Sequence, residues 1–447
     1  MKNTQTIKNS NHEILFIQID NKNKFINCID SQRVLNTLYK EENIDISFIS
    51  AVFSGRRAFS KTIIKDLYYL PKGYEALITF SIDGLYKVVI TQSFNMQYYN
   101  CSFADLFCKQ LESQIDKKGI NNIAVSFSAG LDSSSILFSL CDIKKRKKDW
   151  NVIAFCWYSD EISSQDDLLY SENVCIELGV PFYKMPICYG DLFKVVDNFE
   201  YSPIIDTSIL FMDVEKKIQD ELLKLYENED YLIINGHGGD HLFLDPVPAA
   251  MIFNKPFFSN LNRIQRYSAL NYIQLIKEAT FSYLENKNST DFEIQRTHAI
   301  YEACSNNCWS KDTSSSVTTL YPFTELKVIE ASLSYKLDDI LDSKYSRYAY
   351  RMSMYDRFGH SIFLRNSKGH MTGSYQLAIK HNQIKLLDLI QDGFLVKNNI
   401  IDMNSIKNIF EKVSLGYTGF PYILGLVLSI EILIEHLMKK GLIHDEV

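Results

Sequence analysis

The spacing of apolar residues changes along the chain, and each spacing predicts a different kind of element. Over residues 1–95, apolar and β-branched residues gather in runs of strand length, with a tight turn at Leu70–Gly73 and a short helical stretch at Arg33–Tyr39. This pattern predicts a small β-rich module, followed by a linker at residues 92–102. The predicted strands are Glu13–Asp20, Ala76–Ile82 and Leu85–Thr91.

Residues 119–245 alternate short apolar runs with stretches of helical spacing. Such alternation is typical of a parallel sheet covered by helices on both faces. The predicted strands are Ile123–Phe127, Val152–Trp157, Phe182–Ile187 and Tyr231–Asn235. The predicted helices are Ser133–Asp142, Asp167–Leu178 and Val214–Glu227, with Phe103–Lys117 before the first strand.

Residues 246–447 show mainly helical spacing, so the predicted fold class is α/β with a helical C-terminal half. The most apolar stretch, Tyr422–Met438, is interrupted by Glu431 and Glu435 and falls short of the roughly 20 apolar residues that span a bilayer. It therefore predicts a buried amphipathic helix and no membrane span. The other predicted helices are Ile264–Tyr283, Thr297–Cys304, Glu325–Leu337, Tyr345–Phe358 and Gln383–Gly393.

Composition narrows the possible partners and the compartment. The chain has 447 residues and a net charge of −7, which disfavours a surface that neutralises nucleic-acid phosphates. The basic run Lys144–Lys148 follows a predicted helix, where cations complement the helix dipole, so we interpret it as a solvated helix end. Nine scattered cysteines and a polar N-terminus without a secretory signal predict reduced thiols and a cytoplasmic protein.

The most informative stretch is NIAVSFSAGLDSS, residues 122–134. A strand, a turn of small residues and a helix start form a cradle in which free backbone N–H groups and the helix dipole face a phosphate. Asp132 can hold the magnesium ion that accompanies a nucleotide. Ala129 fits this turn if its φ is negative, whereas a positive φ would strain it. The predicted phosphate-binding residues are Ser126, Ser128, Gly130, Asp132, Ser133 and Ser134.

A second motif, IINGHGGDHLFLD at residues 233–245, follows the last predicted strand. Its glycines exclude a helix at that point and, at Gly236 and Gly238, let the backbone approach a bulky ligand. Asp240 lies at the same sheet edge as Asp132, so the two carboxylates can share one magnesium ion. The alternative for Asp240 is a helix N-cap. The histidines at 237 and 241 have the spacing of a zinc site, but that site needs a helix.

Lys368, in the segment RNSKGHMTGSY, resembles an ordinary surface lysine when it is taken alone. It becomes a functional candidate only together with the other two motifs. The segments SFSAGLDSS, NGHGGDHLF, YPFTELKVIEASL and RNSKG occur in this order. The order resembles the synthetase domain of asparagine synthetases, β-lactam synthetases and lasso-peptide cyclases over residues 100–447. The segments GGDHLFLDPVP and LGLVLSIEILIEHL are most similar to the lasso cyclases.

Residues 1–95 resemble the glutaminase domain of the same family. That domain uses a cysteine directly after the initiator methionine as its nucleophile, and this sequence has Lys2 there. The resemblance therefore implies a degenerate glutaminase-like (Ntn-type) domain that does not release ammonia. The attacking amine should then arrive with the substrate.

The resemblance implies an ATP-dependent ligase of the ATP-pyrophosphatase type, with ATP and Mg²⁺ as cofactors. A side-chain carboxylate of a precursor peptide would be adenylated, and the peptide's N-terminal amine would close a macrolactam. Lys368 would stabilise charge on the phosphate, and His237 would either take the amine proton or only contact nucleotide or backbone. A leader peptidase and a leader-binding protein are further expected partners.

Four alternatives remain open from the sequence. The substrate could be a small molecule that forms a lactam, or the chain could make asparagine from ammonia. A non-catalytic scaffold is disfavoured because Asp132, Asp240 and Lys368 are retained together. A tRNA-modifying ATP pyrophosphatase shares the first motif but is disfavoured by the acidic balance and by the second motif.

Overall fold

The computed structural model describes most of the chain. The predicted helix Ile264–Tyr283, most of Arg33–Tyr39, Lys2 and Lys368 lie outside the described residues. Those residues are 3–9, 14–20, 25–29, 34, 39–53, 60–80, 86–93, 99, 101–159, 165–194, 199–227, 229–245, 292–305, 310–312, 317–342, 344–365, 372–416, 421–441 and 443–444.

The N-terminal part is rich in β-structure, as predicted. Its elements are β1 Asn3–Asn9, β2 Ile14–Asp20, β3 Phe25–Ile29, β4 Tyr39–Lys40, α1 Ile46–Phe53, β5 Leu67–Pro71, β6 Tyr74–Phe80 and β7 Tyr86–Gln92. Two antiparallel sheets result, with strand orders β1-β6-β7 and β3-β2-β5. Buried side chains alternate with more exposed ones along β6, because one face of this sheet covers the core. The turn predicted at Leu70–Gly73 joins β5 to β6.

A parallel sheet of five strands forms the centre of the molecule. Its strand order is β10-β9-β8-β12-β14, and all neighbours are parallel. The elements of this region are α2 Phe103–Lys118, β8 Asn122–Ser126, α3 Leu131–Lys144, β9 Asn151–Tyr158, α4 Gln165–Leu178, β10 Phe182–Pro186, β11 Phe199–Tyr201, α5 Met212–Leu225, β12 Tyr231–Ile234, α6 Gly239–Leu242, α7 Phe292–Ser305, β13 Ser310–Asp312 and β14 Val317–Leu320.

The four strands predicted for this sheet are confirmed, and the fifth was missed. The sequence of β14 is VTTL, whose polar Thr318 and Thr319 hide the apolar run that an inner strand shows. The strand lies at the sheet edge and is only half-buried, which explains the weak pattern. The basic residues at the end of α3 are at the surface, where Arg146 pairs with Glu112 and Lys147 with Asp116.

The C-terminal half is helical, as predicted. Its elements are α8 Leu326–Leu333, α9 Leu337–Ile340, α10 Tyr348–Phe358, α11 Thr372–His381, α12 Gln383–Gln391, α13 Phe394–Lys397, α14 Met403–Ser414, α15 Pro421–Lys439 and β15 Ile443–His444. The helix predicted at Glu325–Leu337 is confirmed over Leu326–Leu333, but its last part is wrong because the chain leaves helical geometry between α8 and α9. Among the helices of the described part, none is long and apolar enough to cross a membrane.

Helix α15 contains a buried carboxylate within its apolar sequence. Glu431 is 2% exposed, and its two oxygens accept the backbone N–H groups of Phe394 and Leu395, each at 2.8 Å. These N–H groups begin α13 and have no partner inside their own helix. Glu431 therefore caps a neighbouring helix, and this contact explains how an acidic residue is tolerated in the core.

The N-terminal part packs directly on the rest of the chain. The Ile63 N–H donates to Pro203 O at 3.0 Å, and the Ser60 and Tyr301 hydroxyls lie 2.6 Å apart. Strand β15 pairs in parallel with β4, so that Ile443 lies beside Tyr39. The buried apolar side chains of both parts form one continuous core.

Candidate active site

The two glycine-containing motifs meet at one edge of the parallel sheet. Strands β8 and β12 are parallel neighbours with Ile123 beside Leu232, so their carboxyl ends are level. Residues 127–130 follow β8 and residues 235–238 follow β12, and each loop leads into a helix. In open α/β sheets this edge is where ligands bind. The predicted meeting of the two motifs is therefore present in the fold.

The first loop is a tight turn held by its own polar groups. The Ser133 hydroxyl donates to Gly130 O at 3.2 Å, and the Ser128 N–H donates to Ser133 Oγ at 3.3 Å. Ser126 and Ser128 are half-buried and remain partly accessible, whereas Ser134 is fully buried in α3. Of these predicted phosphate-binding serines, Ser134 is thus the least accessible to a ligand.

Ala129 occupies the strained conformation that the sequence left open. Its φ is +50°, in the left-handed region where a Cβ is unfavourable by roughly 1–2 kcal/mol. The residue is buried, and its carbonyl accepts a hydrogen bond from Arg365 Nη1 at 3.3 Å. The surrounding contacts therefore hold an alanine where glycine would be relaxed.

The second motif departs from the sequence prediction at its third glycine. Gly238 is left-handed with φ +99°, but Gly239 opens the one-turn helix α6, so the prediction that these glycines exclude a helix is wrong there. Asp240 is the second residue of that helix, and Gly238 is its N-cap. The alternative interpretation of Asp240 as a helix N-cap is therefore also wrong.

Two glycines of this motif provide space for Asp132. A Cβ added to Gly239 would lie 2.1 Å from Asp132 Oδ1, and a Cβ on Gly236 would lie 3.2 Å from Asp132 Cβ. At Gly238 an added Cβ would instead meet Thr324 and Phe323, at 3.1 and 3.2 Å. These glycines thus let the two motif loops touch, a role that the sequence assigned to contact with a ligand.

Asp132 is paired with Arg347, a residue that the sequence analysis did not identify. Arg347 Nη1 lies 3.0 and 2.9 Å from the two carboxylate oxygens of Asp132, and Arg347 Nε lies 2.9 Å from Asp245 Oδ2. Burial alone would lower the pKa of this guanidinium, but the two aspartates raise it above its usual value. The feature of the sequence that could have identified Arg347 is its spacing from Arg351, one helical turn away at the start of α10.

Asp240 is more exposed than Asp132 and has a different partner. Its Oδ1 accepts the backbone N–H of His241 at 3.1 Å and lies 2.8 Å from His241 Nδ1. Burial favours a raised pKa, but His241 and then Arg347 hold the pKa of the Asp240 carboxyl well below its usual range. The carboxyl is therefore ionised at neutral pH, as a metal ligand must be.

The two aspartates fit a magnesium ion that is held jointly by protein and nucleotide. Mg²⁺ is usually bound through one or two carboxylates together with substrate phosphates. Within the described ranges, no group of three or more His, Cys, Asp and Glu side chains is arranged around a metal position. Asp132 and Asp240 alone would therefore hold Mg²⁺ weakly, and phosphate oxygens would strengthen the site.

His237 lies next to this edge with its ring largely enclosed. Its Nε2 is 3.3 Å from Ala303 O, and its ring centre is 5.1 Å from that of His241. Burial, and then the nearby His241, lower the pKa of His237 to about 4. The ring is neutral at pH 7, and if Nε2–H donates to Ala303, then Nδ1 has the free lone pair.

The segment that carries Lys368 begins beside the first motif. Arg365, three residues earlier, donates to Ala129 O, pairs with Asp167 and lies over the Tyr170 ring at 4.6 Å. Arg351 supports this segment from α10 by donating to Phe363 O at 2.9 Å and to Arg365 O at 3.0 Å. The start of the segment RNSKG is thus anchored at the site, although Lys368 itself is outside the described residues.

A fully buried arginine fixes the helix that carries Asp240. Arg296 of α7 donates to Leu242 O at 2.6 Å, to Tyr335 O at 2.7 Å and to Ser332 O. These carbonyls belong to α6 and to the end of α8, so one side chain joins the second motif to the segment YPFTELKVIEASL. Sequence analysis missed this residue because its partners are carbonyl groups, which every residue carries.

The chain matches one family profile and is similar to a protein of known role. The family profile described as asparagine synthase matches residues 105–423, which is more than half of the chain. The microcin J25-processing protein McjC of Escherichia coli is 23% identical over 400 residues, covering 86% of this chain and 74% of that protein.

One solved structure resembles the chain more remotely. It is the U34-tRNA thiolase NcsA from Methanococcus maripaludis with its [4Fe-4S] cluster, at 13% identity, covering 62% of this chain and 80% of that chain. The TM-score of 0.27 is too low to support a shared arrangement.

Proposed function

This chain belongs to the asparagine synthase family, and from that membership we propose that it closes a macrolactam within a peptide, as a lasso-peptide cyclase. At the coarser level the chain is an ATP-dependent amide ligase. The finer proposal concerns the substrate, which would be a precursor peptide that supplies both the carboxylate and the amine.

The observation that carries the proposal is the contact between the two motif loops. Asp132 occupies the space left by the missing Cβ of Gly239, and Asp240 is the next residue. Two acidic side chains from neighbouring strand ends are thus brought to one edge, beside a turn suited to phosphate. This arrangement supports binding of ATP with Mg²⁺ on Asp132 and Asp240, with the phosphates near Ser126, Ser128, Gly130 and Ser133.

In the proposed reaction the peptide's side-chain carboxylate attacks the α-phosphorus of ATP. The bond to the β-phosphate oxygen breaks, and pyrophosphate leaves with the electron pair. Magnesium, when bound, would withdraw charge from the phosphate oxygens. Lys368 would stabilise the developing negative charge in the same transition state.

In the second half of the reaction the peptide's N-terminal amine attacks the activated carbonyl, and AMP leaves. His237 would accept the amine proton at Nδ1, while Nε2 stays bonded to Ala303 O. A pKa of about 4 makes His237 a weak base, so its main use would be to take the proton as the C–N bond forms. The remaining acceleration would come from holding amine and carbonyl together.

The similarity to a microcin-processing protein favours a peptide over a small substrate. The same similarity makes a leader peptidase and a leader-binding protein reasonable partners of this chain. Ammonia-dependent synthesis of asparagine is the alternative within the family, and the test below includes it.

The test uses synthetic linear peptides with an N-terminal glycine and one internal glutamate. We expect such a peptide to support ATP–pyrophosphate exchange and to give a product lighter by one water. The matched control peptide is N-acetylated, and it should support exchange without ring closure. Replacing the glutamate by glutamine should abolish both. If no peptide supports exchange and aspartate with ammonium does, the chain is an asparagine synthetase and the proposal is wrong.

The role of His237 is tested separately with His237→Ala. We expect exchange to persist and ring closure to slow, so that the adenylated peptide accumulates. His360→Ala is the control, because His360 is also a half-buried histidine but pairs with Glu177. Unchanged ring closure in His237→Ala would remove the base role without affecting the proposed reaction.

A further inference from the structure

Arg347 has a combination of burial, position and charge contacts that its own helix does not explain. It is 7% exposed and stands at the N-cap of α10 with φ +56°, in the left-handed region that favours glycine. An N-cap side chain normally accepts a hydrogen bond from its own helix, and Arg347 makes none. Its side chain contacts Asp132 of the first motif and Asp245 at the end of the second.

These contacts leave part of the guanidinium's hydrogen-bonding capacity unused. A single nitrogen, Nη1, contacts both oxygens of Asp132, in place of the two parallel bonds of a bidentate pair. Nε lies 2.9 Å from Asp245 Oδ2, but the buried Nε–H makes no directional hydrogen bond. Nη1 therefore donates hydrogen bonds to Asp132, whereas the Nε–H has no hydrogen-bond partner among the described residues and can donate to a further acceptor.

Two other arginines near the first motif, Arg351 and Arg365, have different hydrogen-bond partners. Arg351 donates to the carbonyls of Ser346, Phe363 and Arg365. Arg365 pairs with Asp167 and donates to Ala129 O. Of these three arginines, Arg347 is the one whose partners are the carboxylates of the two motif loops.

We propose that Arg347 is a phosphate-binding residue of this site, which neutralises Asp132 and Asp245 when no nucleotide is present and turns its guanidinium to the phosphates when Mg·ATP binds. This inference rests on the proposed function only in placing Mg·ATP at Asp132. It follows from charge, because a guanidinium and a magnesium ion compete for one carboxylate. Phosphate oxygens attract both cations, and the planar guanidinium matches them in a bidentate manner.

The proposal predicts opposite effects on two ligands. Replacing Arg347 by methionine removes the competitor for Asp132, so Mg²⁺ alone should bind more tightly. The same change removes a phosphate partner, so pyrophosphate with Mg²⁺ should bind about tenfold more weakly or worse. A residue that only holds the fold together would weaken both ligands.

The experiment is calorimetric titration of the full chain with MgCl₂ alone and with magnesium pyrophosphate. Arg357→Met is the matched control, because Arg357 is on the same helix and also bridges two aspartates, Asp105 and Asp142, but at the surface. It should leave both affinities unchanged. Arg347→Lys retains the charge and serves if the methionine variant does not fold. A lysine cannot bind in a bidentate manner, so pyrophosphate should still bind several-fold more weakly than in wild type.

Two results would overturn the proposal: pyrophosphate affinity equal to wild type in the Arg347 variants, or parallel losses of Mg²⁺ affinity, pyrophosphate affinity and melting temperature. No peptide is present in these titrations. Failure of the cyclase proposal would appear only in the peptide assay, so the two failures are distinguishable.

Discussion

Asp132 and Glu431 are two enclosed carboxylates in different regions of the molecule, and they are built in related ways. The Asp132 side chain is 14% exposed and lies against Gly239, whereas Glu431 is 2% exposed and lies against Gly393. A Cβ on either glycine would come within 2.5 Å of the facing carboxylate. Both carboxylates therefore depend on a glycine that leaves room for them.

Their partners differ. Asp132 faces a guanidinium on a long side chain from α10, and Glu431 faces backbone N–H groups at the start of α13. A side-chain cation can exchange one anion for another, but a helix N-terminus keeps its position. Burial of a charge therefore does not by itself indicate function. What separates the two residues is whether the partner can leave.

The largest expected effect is on Asp132. Asp132→Asn should lower ATP–pyrophosphate exchange about 10³-fold, because an amide neither balances Arg347 nor holds a magnesium ion with charge. Asp142→Asn, on the same helix but at the surface, is the control and should exchange at the wild-type rate. Glu431→Gln should also exchange normally. If Asp132→Asn exchanged pyrophosphate at a rate within a few-fold of wild type, the proposed functional difference between Asp132 and Glu431 would be wrong.

Substitution of Gly239 should mainly affect nucleotide affinity, whereas substitution of Gly393 should mainly affect the stability of the fold. Gly239→Ala crowds Asp132 and should weaken Mg·ATP binding about tenfold, whereas Gly393→Ala crowds Glu431 and should lower the free energy of unfolding by about 1–3 kcal/mol. Binding titration and denaturant unfolding of both variants measure the effects. Gly190→Ala is the control, since an added Cβ there meets no atom within 4 Å. If both variants lost Mg·ATP affinity and free energy of unfolding to the same extent, the proposed difference between the two glycines would be wrong.

The stability of the protein should depend on pH through the buried Glu431. Burial raises the pKa of Glu431 to about 7, although the N–H groups of Leu395 and Phe394 oppose the shift. The unfolded carboxyl has a pKa near 4.5, so the folded state binds the proton more tightly. The stabilisation is complete below about pH 4.5 and is lost as pH rises through about 7, by roughly 2–3 kcal/mol.

Denaturant unfolding of the wild type and Glu431→Gln at pH 5, 6, 7 and 8 measures this contribution. The pKa of His237 and that of His436 are lowered by burial, so these groups act in the opposite direction at acid pH. Because both proteins contain them, only the difference between the two curves reports Glu431. Parallel curves would show that Glu431 does not titrate in this range.

The smallest expected effect is at Ala129. Ala129→Gly relieves the left-handed conformation and should raise the free energy of unfolding by up to about 1 kcal/mol, reduced by the greater entropy of an unfolded glycine. Denaturant unfolding at one pH is sufficient. A lower stability in the variant would show that the surrounding contacts favour the methyl group more than the backbone disfavours it.

The sequence predicted most of what local pattern determines. Apolar runs identified β8, β9, β10 and β12, and the strand–turn–helix order located both motif loops at one sheet edge. What it missed is non-local. Arg347 reaches Asp132 across 215 positions of sequence, and no local pattern records such a pairing. The partners of Arg296 are backbone carbonyls, which have no sequence signature.

The glycines of the second motif and Glu431 were recognised as unusual positions, but their neighbours in the fold were not predicted. The glycines of the second motif were interpreted as space for a ligand, and the structure shows Gly239 making space for Asp132. Glu431 was interpreted as an interruption of an apolar helix, and the structure shows it capping α13. Residue type and spacing indicated that each position was unusual, but only the fold identified the neighbour.

The fastening of the N-terminal part to the rest of the chain has a consequence during translation. Residues 1–92 are synthesised before Pro203, Tyr301 and Ile443, which contact them. At about 20 residues per second, Ile443 follows β5 by roughly 20 s. During that interval the two N-terminal sheets lack the surfaces that cover them. Slower translation would lengthen this interval.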